Sequence, residues 1–236
     1  MKIILNGSKG RMGQAVIKKA GSNEIIGVDK LSEEYPTLSS YNGDADVIID
    51  FSHHSATKEL VSYAVSKKLP LVIATTGQTP EEKALIEEAS KTIPVFFSYN
   101  MSIGIAVLAE SAKKVASVLP NAEIEIVETH HDQKLDAPSG TALLLAKSLK
   151  EVRPNANIVT GRSGYGKRNP DDIGIQSIRI GNIVGIHEII ISTGLESITL
   201  KHEAYDRSLF ADGALKAAEF IVNKEAGLYE MKDTLK

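Results

Sequence analysis

A chain of 236 residues, 42% apolar and 24% charged, has room for one large domain or two modest ones, and its composition excludes disorder, collagen and simple repeats. A net charge of −3 argues against a general nucleic-acid or membrane-surface binder, and the absence of cysteine excludes disulfides, thiolate metal sites and cysteine nucleophiles. The longest apolar runs fall far short of the roughly 18 residues of a membrane helix, and the start of the chain turns polar at Asn6 before a signal-peptide core could form, so the expected setting is cytoplasmic.

From the N-terminus, short β-branched runs at Lys2–Asn6, Glu24–Asp29, Asp46–Asp50, Leu71–Ala74 and Pro94–Ser98 alternate with helical patterns. These runs are apolar almost throughout. Strands covered by helices on both faces require that, so the pattern predicts a parallel sheet in an α/β domain. Thr79-Pro80-Glu81-Glu82 predicts a capped helix running to about Lys91, whereas Lys30 to Asp44 carries no helical period and reads as a loop in place of a crossover helix. A helix from about Ser102 to Leu119 follows, and then the pattern changes. Glu123–His130 alternates polar and apolar residues, as a strand with one wet face does. A helix from about Pro138 to Val152 precedes strand-like stretches at Asn157–Arg162, Ile173–Ile180, Ile183–Ser192 and Glu196–His202, which together predict a second, mostly antiparallel sheet. Gly161–Asp172 has loop composition, and Phe210–Val222 returns to a helical stripe.

Three constellations carry chemistry. Gly7-Ser8-Lys9-Gly10-Arg11-Met12-Gly13 joins the first strand to the first helix. At such a turn glycine permits close backbone approach, and the free N–H groups of the helix start attract a pyrophosphate. Asp29 ends the next strand, close to the ~20-residue offset at which a carboxylate meets a ribose hydroxyl, so the pair predicts dinucleotide binding. The second is Glu128–Thr141, in which ten of fourteen residues are polar or ionisable, a composition without use in a core. His130 and His131 point to opposite sides of an extended chain, which disfavours a shared metal, and Ser139 lacks the elbow of a serine hydrolase. His130 and Lys134 remain candidate proton donors, and Ser139-Gly140-Thr141 offers a helix start suited to a carboxylate. The third comprises Ala74-Thr75-Thr76-Gly77 and Ser98-Tyr99-Asn100-Met101 at the carboxyl ends of two strands, where ligands of open α/β sheets bind. On these grounds alone, several nicotinamide oxidoreductases, or a non-catalytic dinucleotide sensor, fit.

Across nearly its whole length the chain resembles the dihydrodipicolinate reductases. The resemblance rests on the Gly7–Gly13 loop, Asp50-Phe51-Ser52, Ala74–Gly77, Asn100-Met101-Ser102, Ile173-Gly174-Ile175, Phe210-Ala211 and above all the run from His130 to Thr141. It implies a Rossmann-type cofactor domain made of residues 1–101 and 208–236, and a smaller α+β domain of mixed or antiparallel sheet, residues 102–207, that binds substrate and builds a homotetramer. It further implies His130 as general acid, Lys134 as its partner, and His131, Gly140 and Thr141 as contacts of a small dicarboxylate substrate. Gly7, Ser8, Lys9, Gly10, Arg11, Met12, Asp29, Lys30, Ala74, Thr75, Thr76, Ser98, Tyr99, Asn100 and Met101 correspond to contacts of NADH and/or NADPH. Asp29 favours the free ribose of NADH while Lys9, Arg11 and Lys30 favour the phosphate of NADPH, so use of both is expected. Where the pattern carries an acidic residue, this chain has Ile186, and one acidic contact is expected to be missing.

Overall fold

The computed structural model describes residues 1–235, and the chain divides into two compact units, Met1–Ile103 with Arg207–Lys236, and Gly104–Asp206. In the first, strands β1 (Lys2–Asn6), β2 (Glu24–Val28), β3 (Val47–Asp50), β4 (Leu71–Ile73) and β5 (Pro94–Phe97) alternate with helices α1 (Arg11–Lys19), α2 (Thr57–Lys67) and α3 (Pro80–Ser90). Residues between β2 and β3 form no α-helix; a single 3-10 turn at Leu38–Ser40 interrupts them. Thr79 opens α3 with reciprocal bonds, its hydroxyl accepting from the Glu82 N–H and its own N–H reaching the Glu82 carboxylate.

All pairings in this sheet are parallel. The register sets Asn6 beside Val28 and Asp50, Asp50 beside Ile73, and Ile73 beside Phe97, so the carboxyl ends of five strands align along one edge. Both faces are apolar: Ile4, Ile48, Leu71 and Val95 on one pack with Leu60, Ala64 and Ile86 of α2 and α3, and Leu5, Ile49, Val72 and Phe96 on the other are fully buried, as the continuous apolar runs require. A sixth strand, Gly227–Tyr229, lies parallel to β5 at the sheet edge, where the sequence shows no strand signal. Three residues are too few for a period to register, and the strand owes its existence to the edge it pairs with.

In the second unit, helix α4 (Ile103–Val118) leads into β6 (Glu123–His130), α5 (Gly140–Lys150), β7 (Asn157–Thr160), β8 (Asp172–Arg179), β9 (Gly185–Ser192) and β10 (Ser197–Ala204). The sheet order is β10-β9-β6-β8-β7. It is mixed rather than mostly antiparallel: β6, β8 and β7 are paired in parallel, and β9 alone is reversed, pairing antiparallel with β6 on one side and with β10 on the other. Alternation reports which face a residue occupies and carries no information on strand direction. The loop between β7 and β8 is fastened by Arg162 and Arg168, which converge on Glu125 at 3.1 and 3.3 Å.

The inner face of this sheet changes character along its length. Ile124, Ile126, Ile173, Ile175, Ile189 and Ile191 pack against Leu145 and Leu149 of α5 and Leu108 and Ala112 of α4. One step further along the same face stand Glu128, His130, Ser177, Arg179 and His187, brought side by side by the register. The polar half of that face is the second unit's candidate site. The remaining helix, α6 (Ser208–Ile221), belongs to the first unit. Among the described residues no helix is long and apolar enough to cross a membrane.

Candidate active site

In the first unit the loop after β1 is tied down before it can meet any ligand. Gly7 sits at φ +85°, its N–H and that of Ser8 donate to the Val28 carbonyl, and the Ser8 hydroxyl donates to the Leu5 carbonyl. A Cβ on Gly13 would lie 2.2 Å from the Gly7 carbonyl oxygen, so only glycine lets α1 begin this close to the loop. Gly10 is the N-cap of α1 and has no side chain with which to satisfy the first-turn N–H groups. These groups form an anion cradle of the size and polarity a pyrophosphate needs, so the residues present fit a dinucleotide.

Asp29 follows β2 and is nearly buried; its Oδ2 accepts from the Lys9 N–H at 3.0 Å and its Oδ1 from the Leu31 N–H at 2.9 Å. The carboxylate is therefore fixed beside the glycine loop. Lys9, Arg11 and Lys30 are exposed around it, Lys30 in a long 3.9 Å pair with Glu59, and Met12 is half-buried.

The other strand-end loops meet at Asp50. This buried carboxylate, one edge position from Asn6, accepts from Asn6 Nδ2 at 2.8 Å, Ser52 Oγ at 2.6 Å and Thr75 Oγ1 at 2.6 Å. Burial pushes its carboxyl above the usual range, opposed by those hydrogen bonds. The Thr75 hydroxyl is thus committed to the fold, as is that of Ser98, which donates to the Asn100 carbonyl. Ala74 and Asn100 are half-buried and Met101 is buried, while Thr76 and Tyr99 remain exposed. Neighbouring His53 and His54 act locally: His53 accepts from the Ser55 N–H, and His54 pairs with Glu82 at 2.9 Å. Arg207 is exposed at the start of α6.

In the second unit, His130 ends β6 and is nearly buried. Its Nδ1 lies 2.5 Å from Glu128 Oε2, and Glu128 is itself gripped by both Arg179 nitrogens at 2.8 and 2.9 Å. Burial opposes ionisation of Glu128, but hydrogen bonds from His130, Arg179, Ser177 and the Ser139 N–H outweigh it and hold the carboxyl well below the ordinary range. His187 on β9 packs edge-on to His130, with ring centroids 5.1 Å apart, and its Nε2 is 3.3 Å from the Ser139 hydroxyl. Burial, then the neighbouring His130, pushes His187 down to about 3, so it is neutral.

Ser139 is the N-cap of α5, its hydroxyl accepting from the Ala142 N–H at 3.2 Å, which leaves Gly140 and Thr141 in the first turn. Lys134, in the loop between β6 and α5, pairs with Asp136 at 2.8 Å, and His131 leaves the strand with its N–H on the Ile183 carbonyl. His130, Lys134, Gly140 and Thr141 thus belong to one short stretch of this unit. Ile186 sits opposite Thr129 and Glu203 on the outer sheet face, so the position that lacks an acid is turned away from His187. Sequence reasoning did not assign Glu128, Arg179 or His187. One signal was present: Glu128 is two residues before His130, and strand alternation puts both on one face.

The family described as "Dihydrodipicolinate reductase, N-terminus" matches residues 1–101, and "Dihydrodipicolinate reductase, C-terminus" matches residues 104–235. Among curated relatives, the 4-hydroxy-tetrahydrodipicolinate reductase of Caldanaerobacter subterraneus subsp. tengcongensis is 45% identical, covering 100% of this chain and 98% of the relative. That of Clostridium tetani is 45% identical over 98% of this chain and 95% of its own length. Among solved structures, a dipicolinate-bound dihydrodipicolinate reductase from Paenisporosarcina sp. TG-14 shares the fold, with a TM-score of 0.77 at 24% identity over 99% of this chain and 98% of that one.

Proposed function

The chain belongs to the dihydrodipicolinate reductase family, pyridine-nucleotide-dependent reductases of lysine and diaminopimelate biosynthesis, and from that premise we propose that it reduces 4-hydroxy-tetrahydrodipicolinate to tetrahydrodipicolinate with either NADH or NADPH. The overall change is uptake of one hydride and one proton with loss of the ring hydroxyl as water. Residues Gly7 to Met12, with Asp29, Lys30, Ala74 to Thr76 and Ser98 to Met101, would hold the nucleotide, and a reduced nicotinamide supplies the hydride.

The protein's own groups do the rest. His130 donates the proton as general acid, the commonest role of an imidazole in a reaction site. Lys134 shares in proton donation and stabilises negative charge as it builds on the substrate. Gly140 and Thr141, at the start of α5, hold a substrate carboxylate with helix N–H groups, and His131 contributes a further contact. Both nucleotides serve because the fixed Asp29 carboxylate suits a free ribose while Lys9, Arg11 and Lys30 offer positive charge to a phosphate.

The observation that supports this reading is the meeting of His130 and the N-terminus of α5 at Glu128, both of which bond the same buried carboxylate. The outer sheet face supports a homotetramer: Val127, Ile178, Ile186 and Ile190 line it and are only partly covered. A cytoplasmic setting fits the biosynthetic role. The reading is tested by following loss of nicotinamide absorbance with the substrate generated in situ by the preceding enzyme. Absence of substrate-dependent oxidation with either nucleotide would refute it.

A further inference from the structure

Inward positions along β6 run Ile124, Ile126, and then a carboxylate with no exposed surface, Glu128. Taking a carboxylate out of water costs several kcal/mol unless charged and backbone donors surround it. Three residues do so here with four hydrogen bonds, beside the contact from Ser177. Oε2 accepts from His130 Nδ1 at 2.5 Å and Arg179 Nη1 at 2.9 Å; Oε1 accepts from Arg179 Nη2 at 2.8 Å and the Ser139 N–H at 3.1 Å.

Each donor belongs to a different working part. His130 is the proposed acid. Ser139 caps α5, whose first turn is the proposed carboxylate cradle. Arg179 also donates to the Asp136 carbonyl, and the Asp136 side chain pairs with Lys134. One buried side chain is therefore bonded to the acid and to the cradle directly, and to the lysine loop through Arg179.

An ionised carboxylate has only acceptors, so the His130 nitrogen against it must carry a hydrogen. That makes Nδ1–H the inward group and leaves Nε2 as the nitrogen turned elsewhere. No side chain of β9 crowds Nε2, since the neighbouring residue is Gly185, where a Cβ would lie 3.1 Å from it.

We infer that Glu128 is the positioning residue of the reaction, holding His130 with Nε2 free to meet substrate and setting the start of α5 and the Lys134 loop at fixed places relative to it. This inference deepens the functional reading above and rests on it for the role of His130. Glu128 acts through these groups and, with no exposed surface, has no face to offer substrate or cofactor. The charged and titratable groups around the His130 and His187 pair are Glu128 on β6, Arg179 on β8, His202 on β10, and Lys134 with Asp136 in the loop.

Glu128→Gln keeps shape and an acceptor oxygen while removing the charge. We expect kcat to fall by about 10²-fold, within the range of a mispositioned general acid, with the KM for nicotinamide nucleotide unchanged. Added to His130→Ala, Glu128→Gln should lower kcat by clearly less than the roughly 10²-fold it costs alone, because the part of its effect that passes through the ring is already gone. Full additivity of the two substitutions would overturn the inference. A second measurement needs no variant: in the wild-type protein, long-range nitrogen NMR of the neutral His130 ring should show it protonated at Nδ1, and an Nε2–H ring would refute the assignment. Wild-type turnover in His130→Ala alone is a different result, which removes His130 from the chemistry and so fails the functional reading first.

Discussion

Asp29→Asn separates a structural from a functional role for the residue placed against the nucleotide ribose. In the structure both carboxylate oxygens accept a backbone N–H, from Lys9 and from Leu31, at a nearly buried position. An amide has one acceptor oxygen, so one of those N–H groups must face an NH₂ group and go unpaired, a loss of about 1–3 kcal/mol. At roughly 2–4 °C per kcal/mol for chains of this size, Tm should drop by several degrees. The functional effect is separate. A carboxylate bonded to ribose hydroxyls contributes on the order of 1.5–3 kcal/mol, of which a neutral amide keeps roughly half, and removal of the charge relieves about 1 kcal/mol of repulsion toward a 2′-phosphate. Together these amount to about 1.8–2.5 kcal/mol, so the ratio of kcat/KM for NADPH over NADH should rise roughly 20- to 70-fold. The assay is steady-state turnover with each nucleotide at saturating substrate, beside a thermal melt. A lowered Tm with the nucleotide ratio unchanged within threefold would show that Asp29 ties the loop and never meets the ribose.

His130→Ala should lower kcat by about 10²-fold or more with nucleotide affinity, read by fluorescence titration, unchanged, and Lys134→Ala should be comparably damaging. Thr141→Ala should chiefly raise KM for the dicarboxylate; an unmoved KM would leave Thr141 only its place in the helix start. Because His187 is pushed down to about 3 from an ordinary 6.5, the unfolded chain takes up a proton in that interval that the folded chain refuses, and stability declines as pH falls through it. His187→Gln should flatten the fall of Tm between pH 6.5 and 5, above the carboxylate range, and curves that stay parallel would contradict the assignment. Light scattering at micromolar concentration should give a tetramer, and Ile190→Lys on the outer sheet face should reduce it; a wild-type monomer would rule the assembly out.

Much of the first unit was legible because its signals are local. Apolar runs of strand length and a capping box each occupy a few consecutive residues, and each formed close to where it was read. The edge strand Gly227–Tyr229 was not, since its only support is the neighbour it pairs with. In the site, His130, Lys134 and the start of α5 lie within one run of the chain and could be named from it. Asp50 joins Asn6, 44 residues earlier, to Thr75, 25 residues later, and no pattern along the chain announces such a meeting.

Sequence by itself determined the order of strands and helices, the glycine loop with its acidic partner at the end of the next strand, and the chemical inventory of the run from His130 to Thr141. All of these are set by neighbours a few residues apart, through backbone sterics, side-chain periodicity and capping. Tertiary structure alone decided that β6, β8 and β7 run parallel, that Ile186 turns away from the site, and that Glu128 meets an arginine 51 residues further on. A one-residue slip of β8 against β6 would carry Arg179 to the opposite face and leave Glu128 buried without its counter-ion, so the composition of the site depends on strand register, which only the folded sheet specifies.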